Sequence, residues 1–212
     1  MSALHPAQVV RPANVARNLL HFGSGITALL VLQLAPNRGW VMAMGAAFFA
    51  LAWTLEYTRR QSGQWNNVLM RILGPFAHAH ERTQVNSATW YSTALFVIAL
   101  FGNLMAASVA VMVLGAADPV AAQVGQRWGK VRLTANRTLE GTLAFFVTGT
   151  AIAGATLLVC YPSLTGVETV LFSLVAGLAG AVAELVSRRV DDNLSIPLAT
   201  TAAVMAATLL VR

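Results

Sequence analysis

The sequence predicts an all-α polytopic integral membrane bundle of about seven transmembrane helices, and three observations predict it. Of 212 residues, 57% are hydrophobic and only 10% are charged, against roughly 25% charged in soluble globular chains. The mean hydropathy is +0.64, and so few charges cannot coat a particle of this size in water. The apolar residues also fall in runs long enough to span a bilayer, which takes about 20 residues. Ala, Val, Leu and Gly dominate, which excludes a disordered polymer or a coiled coil.

The runs lie at 18–35, 39–57, 87–101, 103–124, 139–161, 166–190 and 194–211. Before the first is a short arm, 1–17, with Pro6, Pro12, Arg11 and Arg17 and no cleavable signal pattern. Residues 18–212 read as one transmembrane domain. The stretch 87–117 is almost unbroken, and Gly102-Asn103 is its only turn signal. Dividing it there gives seven spans; leaving it whole gives six. Residues 64–80 predict a short amphipathic helix lying in the interface.

Parity favours seven. Counted that way, twelve of the 14 Lys and Arg residues share the side of the N-terminus, and only Arg38 and Arg212 lie opposite. Positive loops stay in the cytosol, so the N-terminus is expected to be cytosolic. The net charge of +6 is then a property of these loops and not a nucleic-acid footprint. The single cysteine, Cys160, forbids an internal disulfide and reads as packing.

Acids are costly in or beside a membrane, so each of the eight is a functional suspect. Seven lie on the expected cytosolic side; Glu168 is the exception. Asp118 precedes Pro119 at the end of the fourth run, and Glu140 opens the fifth. Glu184 and Asp191, seven residues apart, are expected on one helical face with Arg188 between them. Asp191, Asp192 and Asn193 fill the turn into the last run, and Glu56 and Glu81 border the first long loop. Each acid has a structural reading: a turn at Asp118-Pro119, a helix-dipole partner at Glu140, an i,i+4 pair for Glu184 with Arg188. Together, beside basic loops, they suit Mg²⁺-phosphate chemistry, in which carboxylates hold the hard cation and Lys or Arg neutralise phosphate oxygens.

The loop expected over 125–130 holds Gly125, Arg127, Gly129 and Lys130. It is not a Walker A loop, having three residues between its glycines and Val131 after the lysine. The glycines still allow close backbone approach to a phosphate. His78 and His80 with Glu81 lack further ligands at metal-site spacing. His21, one turn after Arg17, reads as an interfacial residue or a site residue.

In their order these stretches resemble the family of dolichol kinases, phytol kinases and CTP-dependent diacylglycerol kinases, relatives of CDP-diacylglycerol synthases. The matching segments begin at Arg17-Asn18-Leu19-Leu20-His21, at Glu81, at Ala117-Asp118-Pro119, at Arg137-Thr138-Leu139-Glu140-Gly141 and at Glu184. They run from about residue 14 to 200. Two departures are Ala117, where the family often has Gly, and Arg137, where Lys is usual. The resemblance implies a multi-pass protein of the cytoplasmic membrane with its active site facing the cytosol. Its substrates would be CTP and a membrane lipid alcohol, either isoprenoid (dolichol, polyprenol or phytol type) or diacylglycerol, with Mg²⁺ as cofactor and no nucleic-acid partner. By the same resemblance Asp118, Glu140, Asp191 and Asp192 would be catalytic, with Asp118 and Asp192 as metal ligands. Gly125, Arg127, Gly129, Lys130, Arg137 and Asn193 would hold nucleotide phosphates, and His21, Glu81 and Glu184 are further candidates. No oligomeric state is implied. The competing readings are a CDP-diacylglycerol synthase-like cytidylyltransferase and a small non-enzymatic transporter or assembly factor. The cytidylyltransferase is disfavoured because Asn136-Arg137-Thr138 replaces the Ser-x-Lys-Thr usual there.

Overall fold

The computed structural model describes residues 15–73, 79–187 and 190–211. The expected arm as far as residue 14, and Arg11, His78, Arg188, Arg189 and Arg212, lie outside the described residues. Each of the seven runs forms a helix: α1 (Val15–Leu34), α2 (Arg38–Gln61), α4 (Ser87–Phe101), α5 (Leu104–Trp128), α6 (Leu139–Cys160), α7 (Gly166–Val186) and α8 (Asp192–Val211). Between α2 and α4 lie α3 (Gly63–Leu73) and a single 3₁₀ turn at Ala79–Arg82. Five of the seven, α2 and α5 to α8, are each long and apolar enough to cross a membrane. The other two differ for visible reasons: α4 has only 15 residues, and α1 carries Asn18, His21, Ser24 and Gln33.

Caps explain where the helices start. The side chains of Asn37, Asn86, Asn103, Thr138 and Thr165 each accept a backbone N–H from the first turn of the following helix, satisfying donors that have no helical partner. Gly102 takes the left-handed conformation (φ 69°) that ends α4, and Asn103 Oδ1 receives the Ala106 N–H at 2.9 Å. This αL-cap followed by an N-cap is what divides 87–124 into two helices.

Successive long helices run in opposite directions. At one end Ser87, opening α4, bonds to Asp191 just before α8, and Arg137, just before α6, pairs with Glu184 near the end of α7. At the other end Gln33 of α1 donates to Ser108 of α5 and Tyr161 after α6, both at 2.9 Å. There too Arg38 donates to the Leu100 carbonyl at 2.6 Å. Among the described residues the first end carries every Lys and Arg except Arg38 and every acid except Glu168.

Helix α5 is the axis of the bundle, buried on every side from Ala106 to Gly115, with α1, α6 and α8 against it. Phe145, Leu157, Phe172, Ile196 and Val204 fill the space around it. The outer surface is apolar: Leu30, Val147, Leu158, Val170 and Leu209 are all exposed. Such a surface fits hydrocarbon and not water. Helix α3 turns Trp65, Val68 and Ile72 outward along one face, as expected for an interfacial helix; residues 74–78 of the expected 64–80 helix lie outside the described residues.

A buried ion pair ties this region to the bundle. Arg59, 4% exposed, donates through Nε and Nη2 to the two oxygens of Glu56 (2.8 and 2.7 Å). It also reaches the Gln84 carbonyl at 2.6 Å and Asn66 Oδ1 at 3.0 Å. One guanidinium thus joins α2, α3 and the segment leading into α4. Removing one member of a buried pair strands the other charge. Arg59→Ala is expected to cost about 3 kcal/mol, read as a lowered unfolding temperature in detergent; because Arg60 also bonds Glu56, the loss falls at the low end of that effect.

Candidate functional site at the charged end of the bundle

The candidate site is built around Asp118, just past the midpoint of α5. Pro119 follows it inside the helix and has no N–H, so the helical bond to the Gly115 carbonyl is missing. At that level α1 lies hard against α5. A Cβ on Gly115 would sit 3.0 Å from the His21 carbonyl and 3.3 Å from Gly25 Cα. A side chain on Gly115 would push α1 and α5 apart by a few tenths of an ångström; on α1, His21 lies within electrostatic reach of Asp118, Asp191 and Glu81.

Arg137 comes from the connection between α5 and α6. That connection folds back on itself: Leu133 N–H donates to the Arg137 carbonyl at 3.0 Å, and Leu139 N–H to the Val131 carbonyl at 2.8 Å. The turn aims the guanidinium at the bundle end. Its Nη1 meets Glu184 Oε1 at 2.9 Å and its Nη2 bonds Asp192 Oδ2. Burial disfavours the charge on Arg137. The carboxylates of Asp192, Glu184 and Asp118 outweigh that and hold its pKa above the ordinary value. Glu184 is 2% exposed, and its second oxygen, Oε2, is buried without a hydrogen-bond donor. A buried acceptor left open is costly and leaves room for a cationic or donating group.

Asp191 is held at the start of α8. Its Oδ1 accepts from Asn193 N–H (2.9 Å) and Asn193 Nδ2 (2.8 Å), and its Oδ2 accepts from Ser87 Oγ at 3.0 Å. Ser87 also touches Glu81, 3.3 Å from its hydroxyl and its N–H. Glu81 is buried and pairs with Arg17 at 3.4 Å. Asp118, Glu184, Asp191 and Asp192, with His21, Glu81, Arg137 and Asn193, therefore gather at one end from α1, the 3₁₀ turn and α5 to α8.

The other candidates stand apart. Glu140 accepts the Val131 N–H on both oxygens at 3.3 Å and so braces the connection. Lys130 is exposed near it, and Arg127 is exposed with its guanidinium 5.2 Å from the Trp128 ring centre. Gly125 is not in a loop, since α5 continues to Trp128. It lets α5 and α6 touch: a Cβ on Gly141 would lie 3.0 Å from the Ala121 carbonyl and 3.3 Å from Gly125 Cα. Gly129 ends the helix, donating to the Gly125 carbonyl at 3.2 Å. Glu184 and Asp191 do not share a helical face, because α7 stops at Val186 and α8 starts at Asp192. Glu184 pairs with Arg137, and Arg188 is outside the described residues. Ser87 and the ion pair of Arg17 with Glu81 were not singled out by sequence reasoning. A lone serine after a capping asparagine carries no mark of its distant partner.

Two known proteins are similar to nearly the whole chain. The chain is 26% identical over 199 residues to the CTP-dependent diacylglycerol kinase 1 of Schizosaccharomyces pombe, covering 86% of this chain and 88% of that one. It is 31% identical over 195 residues to the phytol kinase of Synechocystis, covering 88% of this chain and 76% of that one. The chain belongs to the family of phytol kinases and CTP-dependent diacylglycerol kinases. No family model matches the chain, and no solved structure matches it. In this kinase family the two named relatives act on different molecules, phytol and diacylglycerol, which share a hydroxyl on a long hydrocarbon body. Among the described residues no three His, Cys, Asp or Glu side chains are placed to hold a metal ion.

Proposed function

We propose that this chain is a lipid-alcohol kinase that transfers the γ-phosphate of CTP to the hydroxyl of an isoprenoid alcohol or diacylglycerol at the cytosolic face of the membrane. One observation carries it: carboxylates from α5, α7 and the start of α8 gather around one guanidinium at the rim of a membrane bundle. A hydroxyl tethered in the bilayer and a water-soluble triphosphate meet only at such a rim. The kinship with a diacylglycerol kinase and a phytol kinase supports the reaction class. The twelve-to-two distribution of basic residues supports a cytosolic N-terminus and a cytosolic site.

Phosphoryl transfer needs positioning and charge neutralisation more than covalent help. The lipid hydroxyl attacks the γ-phosphorus, the bond to the β–γ bridging oxygen breaks, and CDP leaves. A carboxylate of the cluster takes the hydroxyl proton. Arg137 neutralises charge on the transferring group, and the exposed Lys130 and Arg127, at the same end of the bundle but outside the cluster, are the cations left for the remaining phosphates. Asn193 fixes Asp191, and Glu140 fixes the connection that carries Arg137. The donors fit Mg²⁺, which prefers hard oxygens and is held through one or two carboxylates plus substrate phosphates. Asp118 and Asp192 would hold it, beside the open oxygen of Glu184. When bound it supplies charge neutralisation between phosphate oxygens.

The test uses detergent-purified protein with Mg²⁺ and CTP labelled separately in its α- and γ-phosphates. Phytol, a polyprenol and diacylglycerol are offered as acceptors. The γ-label is expected in lipid, with CDP as co-product and CTP preferred over ATP. Entry of α-label into a lipid phosphate, with pyrophosphate release, means a cytidylyltransferase. Transfer of neither label to any lipid returns the chain to the non-enzymatic reading.

A further inference from the structure

A cleft of about 510 Å³ runs between α7 and α8. Its walls include Val175, Val182 and Val186 on α7 and Ser195, Ala199 and Ala203 on α8. The lining is apolar apart from Ser187 and Ser195, and these two hydroxyls bond each other at 2.5 Å. Val182 and Val186 are 49% and 66% exposed, so the cleft opens sideways to the hydrocarbon around the bundle. Its direction is the informative feature. Asp192, Ser195, Ala199 and Ala203 recur at i, i+3, i+7 and i+11, which places them on one face of α8. That face begins at Asp192, the carboxylate bonded to Arg137. From Asp192 to Ala203 the helix rises about 16 Å, roughly half of a ~30 Å hydrocarbon core. The cleft thus runs from the Ser187–Ser195 pair, one turn of α8 beyond Asp192, toward the middle of the bilayer between apolar walls.

We propose that this cleft binds the hydrocarbon tail of the acceptor lipid and delivers its hydroxyl to Asp192 and Arg137 from within the membrane. The inference rests on the kinase reading and adds the acceptor's binding site and its lateral route of entry. Ala199 and Ala203 leave the space the tail fills, so the length of tail accommodated depends on them.

The experiment compares phytol with geraniol, a short isoprenoid alcohol, in Ala199→Phe, Ala203→Phe and Ala202→Phe proteins. Ala202 is exposed on the same helix outside the cleft and serves as the control. Ala199→Phe is expected to raise KM for phytol about 10-fold, the effect of ~1.4 kcal/mol of lost fit. It should change geraniol KM less than about 2-fold on the same scale, with Ala203→Phe acting more weakly and Ala202→Phe not at all. An unchanged phytol KM in both cleft variants, or equal losses for both alcohols, overturns the inference. A second measurement needs neither substitution nor turnover: a phytol analogue with a diazirine at its tail end is photo-cross-linked to the unaltered protein. Cross-links confined to 175–186 and 195–203 and competed by phytol support the cleft even in a preparation that transfers no phosphate, which separates this inference from the kinase reading. Cross-links spread over the outer faces of α1 and α6 overturn it.

Discussion

Asp118→Asn is expected to lower γ-phosphate transfer at least about 100-fold while the protein still folds. The change is isosteric and removes charge where Glu184 and Asp192 already crowd Asp118. Relief of that repulsion offsets the loss of whatever Asp118 holds in the resting protein. The carboxylate's value is therefore concentrated in the loaded site, opposite a cation and a developing phosphoryl charge. Turnover and unfolding temperature measured on one preparation separate the two. A variant that transfers phosphate at the parent rate makes Asp118 a helix-packing residue and removes the centre of the proposed site.

Arg137 carries the second large effect, and it acts on fold and chemistry together. Its guanidinium joins α7 to α8 through Glu184 and Asp192, and both carboxylates lose their counter-charge if it goes. Arg137→Met is expected to cost about 3 kcal/mol or more in stability, the penalty for uncompensated buried charge, and to drop transfer at least about 100-fold. Arg137→Lys restores one positive charge without the two-pronged geometry. Lysine is usual at this position in the family the sequence resembles, so Arg137→Lys is expected to fold normally and to keep activity within about 10-fold of the parent. If Arg137→Met matches Arg137→Lys in both measurements, the guanidinium neither bridges the helices nor serves the reaction.

The bundle was legible because hydrophobic run length is a one-dimensional signal. Gly102-Asn103 is a clear case: two residues with special backbone and capping properties divide an apolar stretch that composition alone would leave whole. The site was legible only as a list of acids and bases. Sequence spacing put Glu184 and Asp191 on one helix, and an intervening helix end separates them. It put Gly125 in a phosphate-cradling loop, whereas the absence of a Cβ there serves the contact of α5 with α6. Pairing was the least legible. The bond of Ser87 to Asp191 spans 104 residues, and that of Arg137 to Asp192 spans 55; no local periodicity encodes either. What the sequence offered was parity, which sent the acids to one side before their partners were visible.

The placement of Asp191 and Asp192 at the head of α8 has a consequence for biosynthesis. Chains emerge N-terminal part first, so α1 to α7 leave the ribosome before the partners of Ser87 and of Arg137 Nη2 do. Until α8 arrives, Arg137 holds Glu184 alone and the apolar flank of α7 faces lipid. A nascent chain therefore passes through a stage with α1 to α7 but no assembled cluster, and one event closes the charged cluster and seats α8. Quality control that detects an unseated α8 would by that act also detect an open charged cluster.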